Sequence, residues 1–180
     1  MEKTINMQEL IELVNKSEKS VVFVGPTAAG KDTLMNEVSR RTGIKPLVSH
    51  TTRPMRPGEV DGVEYYFVTD DQFESMEMVE RRTYTVANGE TWKYGLSVQE
   101  ASRPGLLILD LSGYLTFSRW CSRHKIESPQ LVYLPVDYET AKARQQKRGD
   151  YDEAEFNRRW EADSLWTSNA EFIGMTYKEE

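Results

Sequence analysis

The apolar positions change period along the 180-residue chain, and each change marks an element. Met7, Leu10, Ile11 and Val14 recur at helical spacing, so residues 7–17 are expected to form an amphipathic helix. Residues 20–24 are a short apolar run rich in β-branched residues, bounded by Gly25 and Pro26, and read as a buried strand. Residues 31–41 read as a helix that Gly43 stops. From Lys45 to Pro57 the chain is extended and punctuated by prolines. Asp61-Gly62 carries the signature of a tight hairpin turn, followed by the alternating Tyr65 and Phe67. Phe73, Met76 and Val79 give one apolar face to a helix expected over residues 70–80. A second turn signal, Asn88-Gly89, separates strand-like residues 83–86 and 91–94. Residues 106–109 and 131–134 repeat the buried-strand pattern. A helix is expected over 137–148, starting at the N-cap Asp137 and ending at Gly149. Another runs from 152 to about 170, and 172–177 is expected to be the final strand.

Three short apolar strands, each followed by a helical pattern, imply βα units around a parallel sheet. The hairpin-rich segment 50–98 interrupts that rhythm as a small β-rich insertion. The fold class is therefore α/β, in a single domain without internal repeats or linkers. A composition of 38% hydrophobic and 29% charged residues is that of an ordinary globular chain. At this size roughly 70% of the surface of the unfolded chain is buried, enough for one sizeable core. Against 23 Lys and Arg stand 29 Asp and Glu, a net charge of -6. That excludes a generic binder of nucleic acid or of a membrane surface, but it leaves room for a small anion held by local cations. The single cysteine, Cys121, rules out an intrachain disulfide and reads as a buried thiol. The start lacks a cationic segment followed by an apolar run, and no apolar stretch approaches 18 residues. The expectation is a soluble, cytoplasmic protein.

The strongest chemical signal is Gly25-Pro26-Thr27-Ala28-Ala29-Gly30-Lys31-Asp32-Thr33. It meets the spacing G-x-x-x-x-G-K in full, after a strand and at the start of a helix, as a phosphate loop requires. Consecutive N–H groups and the positive helix end cradle an anion, and Lys31 reaches the outer phosphates, so ATP is the expected first ligand. Asp32 stands where Ser or Thr normally binds Mg²⁺, with Thr33 one residue later. A carboxylate is itself a good ligand for a hard cation.

Ser49-His50-Thr51-Thr52-Arg53, then Pro54-Met55-Arg56-Pro57-Gly58-Glu59, then Gly62-Val63-Glu64-Tyr65-Tyr66-Phe67 closely resemble guanylate kinases. The shared pattern is Ser-x-Thr-Thr-Arg, Pro-x-Arg-x-Gly-Glu and Gly-x-x-Tyr-x-Phe, and the likeness covers roughly residues 20–177. Independently of it, Arg53 and Arg56 are held by Pro54 and Pro57, which each directly follow one of them, on a stiff loop with two guanidinium forks suited to a phosphate monoester. The resemblance implies a P-loop kinase core (about 1–48, 98–140 and 160–180). It also implies a monophosphate-binding insertion (about 49–97) and a helical lid (about 141–160). By the same resemblance Arg53, Arg56 and Tyr65 bind the phosphate of GMP, while Glu80, Ser49 and Tyr94 belong to base recognition. Arg144, Arg148 and Arg159 match the arginines that a closing lid brings onto the phosphates. Asp110, at the end of an apolar strand, has the form of a second metal-site carboxylate beside Asp32 and Thr33.

Departures from the family pattern fall at Asp32, at Leu96 in place of a hydroxyl, and at Ser112 in place of an Asp. Family members also carry an Asn-Asp pair and a further helix after the last strand; here residues 178–180 follow it, and the N-terminal helix is expected to cover that sheet face. The implied activity is transfer of the γ-phosphoryl group of Mg·ATP to GMP or dGMP, with a homodimer left open. Two alternatives keep the fold: an enzyme acting on another deoxynucleotide or a ribose phosphate, and an inactive module that binds a phosphopeptide.

Overall fold

A computed structural model of the chain describes residues 3–85, 89–147, 151–167 and 174–178. The chain opens with β1 (Lys3–Ile5) and α1 (Met7–Lys16). Asn6 caps α1 in a capping box: its Oδ1 accepts from the Glu9 N–H, and Glu9 Oε2 accepts from the Asn6 N–H, both at 3.0 Å. Next come β2 (Val21–Val24) and α2 (Lys31–Thr42), which ends at Gly43 as expected. Further on lie β7 (Leu106–Ile108), α5 (Leu111–Arg123), β8 (Gln130–Tyr133), α6 (Tyr138–Gln146), α7 (Glu153–Thr167) and β9 (Met175–Tyr177). The numbers between them belong to the insertion described below. The five core strands form one parallel sheet in the order β1-β9-β8-β2-β7.

Burial on both faces explains why β2 is a continuous apolar run. Alternate side chains feed two cores. Val21 and Phe23 pack with Leu10 and Val14 of α1 and with Leu34 and Val38 of α2. Val22 and Val24 pack on the other side with Phe117 and Cys121 of α5. So α1 does cover a face of the sheet, and the Cys121 thiol, buried there, is pushed up in pKa by its apolar surroundings.

The insertion is a second sheet built of β3 (His50–Thr51), β4 (Tyr66–Phe67), β5 (Met78–Thr85) and β6 (Thr91–Ser97), in the order β4-β3-β6-β5. It also carries α3 (Asp70–Ser75), and α4 (Val98–Ala101) leads back to the core. Two local expectations are corrected here. Asp61-Gly62 turns the chain but makes no hairpin: β3 and β4 run parallel, and the Asp61 carboxylate accepts from the Phe67 N–H at 2.8 Å, taking a donor that a hairpin ladder would use. The helix expected over 70–80 ends at Ser75, because Met76 turns extended and residues 78–85 pair antiparallel with β6. Glu80 therefore lies on a strand and not at a helix end. Arg148, Gly149 and residues 172–173 of the expected elements lie outside the described residues, as does Asn88 of the second turn signal.

Candidate functional site

The phosphate loop runs from the carboxyl end of β2 into α2, the edge of a parallel sheet where ligands bind. Gly30 sits at φ 95°, a left-handed conformation in which a side chain is strained. The Lys31 ammonium folds back and donates to the carbonyls of Gly25 and Pro26, both at 2.8 Å. From α6, Arg144 Nη1 donates to the Ala29 carbonyl at 3.1 Å and to that of Ala28 at 3.4 Å. From α7, Asp163 Oδ2 accepts from the Thr27 N–H at 2.6 Å. Burial raises the Asp163 pKa, and the Thr27 N–H, Lys31 and Arg159 partly offset it. A carboxylate of the chain itself thus occupies a loop donor suited to a phosphate oxygen. The sequence reading missed Asp163, although it lies one helical turn beyond Arg159 on the same face of α7. Arg159 Nε donates to Glu155 Oε1 at 2.7 Å. Arg158 and then Arg159 hold that carboxyl down to about 2.

In the second sheet's leading loop Arg53 is 3% exposed, and its guanidinium lies over the rings of Tyr65 and Phe67, at 5.6 and 5.5 Å from their centroids. Its Nη1 and Nη2 donate to the two oxygens of Glu59 at 3.0 and 2.7 Å. Glu59 Oε2 also accepts from the Arg56 N–H at 2.7 Å, so one carboxylate ties both arginines of the loop. The Arg56 side chain is exposed. Burial first, then the nearby charges of Tyr94 and Asp32, push the Tyr65 phenol up to about 12.

A further group of the expected site residues collects around β5. Glu80 is 7% exposed, and its burial raises the carboxyl, while Arg82 acts in the opposite direction. Arg82 Nε donates to Glu80 Oε2 at 3.2 Å, and Nη1 donates to Asp110 Oδ2. Asp110 caps α5, its Oδ1 accepting from the Gly113 N–H at 2.9 Å. Leu96 is fully buried. Ser49 is half-buried, its carbonyl accepting from the Tyr66 N–H at 2.9 Å. Arg82 carried no signal in the sequence, since a helix over 70–80 would not have brought it beside Glu80.

For a divalent cation, the Asp110 oxygens are taken by Gly113 and Arg82. Asp32 and Thr33, both exposed in the first turn of α2, offer two oxygen ligands beside Lys31. That fits Mg²⁺, which keeps water and phosphate ligands and needs only one or two from the protein. Among the described residues no group of three or more His, Cys, Asp or Glu is arranged to hold a metal alone.

A parallel sheet with a phosphate loop behind an inner strand, two helices that set Arg144 and Asp163 on the loop, and a second small sheet alongside define a P-loop kinase. The guanylate kinase family model matches residues 17–175, and the chain belongs to that family. It is 31% identical over 159 residues to the guanylate kinase of Schizosaccharomyces pombe, an alignment covering 83% of this chain and 76% of that one. With the guanylate kinase of Corynebacterium diphtheriae the identity is 32% over 177 residues, covering 92% and 90%. The crystal structure of guanylate kinase from Anaplasma phagocytophilum superposes with a TM-score of 0.61 at 19% identity, over 92% of this chain and 79% of that one, a likeness of fold. The α/β class and the family expected from the sequence are both met.

Proposed function

We propose that this chain transfers the γ-phosphoryl group of ATP to GMP or dGMP, giving ADP and GDP or dGDP. The observation that carries the reading is the presence in one fold of two cationic sets suited to phosphate, Lys31 and Arg144 folded onto the phosphate loop and the buried Arg53 that Glu59 ties to the Arg56 backbone. Phosphoryl transfer asks the protein mainly for alignment and neutralisation of charge. Lys31 exchanges the Gly25 and Pro26 carbonyls for phosphate oxygens. Arg144 and Arg159, with Arg148, neutralise the group in flight as the lid over about 141–160 closes and excludes water. Arg53, Arg56 and Tyr65 hold the acceptor phosphate in line, Arg53 sharing its fork with Glu59. Since that phosphate is already a nucleophilic anion, no general base is required. Glu80 accepts from guanine N1–H and the exocyclic amine, with Ser49 and Tyr94 alongside. Mg²⁺, held by Asp32 and Thr33, would neutralise charge on the ATP phosphates. No helix among the described residues is long and apolar enough to cross a membrane, in keeping with a cytoplasmic enzyme of purine nucleotide metabolism.

The test is ADP production from ATP with GMP, dGMP, AMP, CMP and UMP in turn. Guanine nucleotides should lead, and Lys31→Ala should lower kcat at least 100-fold with GMP affinity nearly intact. Equal turnover of all five acceptors would sink the acceptor assignment, and wild-type turnover in Lys31→Ala would sink the role of the lysine.

A further inference from the structure

The β5–β6 register sets Glu80 opposite Leu96 and Arg82 opposite Tyr94. Opposed residues share a face of the ribbon, so these four side chains stand together. That face continues from Tyr94 to Tyr65, with ring centroids 5.7 Å apart, and from Tyr65 to the Arg53 guanidinium at 5.6 Å. Arg82 thus lies between the carboxylate assigned to the base and the aromatic wall that leads to the acceptor-phosphate arginine.

Its guanidinium is only partly used. Nε serves Glu80 and Nη1 serves Asp110, while Nη2 is buried and has no hydrogen-bond partner among the described residues. It lies against Gly113 of α5, where a Cβ would overlap Nη2. A buried donor left unpaired calls for an acceptor. At the same time Leu96 puts an apolar side chain on this face, beside Glu80, where the family pattern carries a hydroxyl.

We propose that Arg82 is a specificity-determining residue for the acceptor base. Through Nε and Nη1 it aligns Glu80 with Asp110, and on acceptor binding its remaining N–H turns from Gly113 to donate to the 6-oxo oxygen of a purine whose N1–H is accepted by Glu80 Oε1. The three charges sum to -1, which suits a base edge that presents donors beside one carbonyl. Guanidinium donors match the O6 edge of guanine, whereas adenine presents an amino donor there and a bare nitrogen at N1. The proposal rests on the assignment of Glu80 to the base, made under the proposed function.

The experiment compares wild type with Arg82→Lys and Arg82→Gln on GMP, IMP and AMP, with circular dichroism and an unfolding midpoint as checks of folding. Lysine keeps the positive charge and glutamine a short donor, so one of the two isolates charge from fork geometry. In the folded variants KM for GMP and for IMP should rise about 10- to 100-fold, the worth of a paired guanidinium. The GMP-over-AMP ratio of kcat/KM should collapse by a similar factor, while KM for ATP stays at the wild-type value. IMP, which lacks the exocyclic amine but keeps the 6-oxo group, should track GMP. A GMP-over-AMP ratio unchanged in both folded variants would overturn the proposal alone, because a merely structural ion pair would depress both acceptors together. Wild-type enzyme indifferent to the base would overturn the acceptor assignment and this proposal with it.

Discussion

Asp163 should act as an internal competitor for the nucleotide. Its Oδ2 accepts from the Thr27 N–H at 2.6 Å, within the charge of Lys31 and Arg159. A hydrogen bond to a charged group contributes about 1.5–3 kcal/mol when well enclosed. Asp163 is only half-buried, so solvent screening brings the figure to about 1–2 kcal/mol. If ATP must expel the carboxylate to seat its phosphates, deletion returns that energy to binding. Asp163→Ala should therefore tighten ATP binding about 5- to 30-fold, measured by isothermal titration without acceptor. The effect has a definite pH dependence. Burial raises the Asp163 pKa, so lowering the pH toward that value neutralises the competitor sooner than an ordinary carboxyl would be neutralised. The ratio of wild-type to variant Kd should shrink as pH falls and be largest at neutral pH and above. Asp163→Asn, which keeps an acceptor without the charge, should fall between the two. Equal ATP affinity in wild type and Asp163→Ala would refute the competition. Weaker binding in the variant would reverse its sign and make Asp163 part of the nucleotide site.

The other predictions concern the scaffold and the acceptor loop. Leu10→Ala opens a cavity under α1 among Val14, Val38 and Met175 and should cost about 2–5 kcal/mol in urea unfolding, and a loss below 1 kcal/mol would mean that α1 is not part of the core. Glu59→Gln should leave the ATP KM unchanged but raise the GMP KM, because Glu59 tethers both Arg53 and the Arg56 backbone; an unchanged GMP KM would show that the tether is not needed. His50 is buried, packs its ring at a tilt against Tyr66 with centroids 4.8 Å apart and has its pKa lowered by burial, so the unfolded chain takes up its proton first as pH falls. Stability should then decline as pH drops below about 6.5, and His50→Phe should flatten that part of the curve; a slope unchanged in the variant would assign it to other groups.

What the sequence could and could not disclose follows from the range of the forces involved. β2, α2 and the phosphate loop were readable because their causes are local: an apolar run, a glycine that must adopt positive φ, a helix start with its lysine. β1 was not, because a strand spanning Lys3–Ile5 exists only through its pairing with β9 at the far end of the chain. Glu80 stands out chemically in the sequence, yet the local pattern points to the wrong element, since Phe73, Met76 and Val79 satisfy a helical period that the pairing with β6 overrides. The same override conceals Arg82. On a helix, residues two apart point about 200° away from each other, whereas on a strand they share a face. A cation two positions from a buried carboxylate is therefore surface decoration under one assignment and a member of the site under the other. Asp163 was hidden by the opposite circumstance. Its element was expected correctly, but the donor it meets belongs to a loop that the fold, and not the helix, brings into reach. Local pattern can place a residue on an element, yet only the packing of elements decides which charges meet. The departures from the family pattern around Glu80 thus had to wait for strand register before they acquired a chemical meaning.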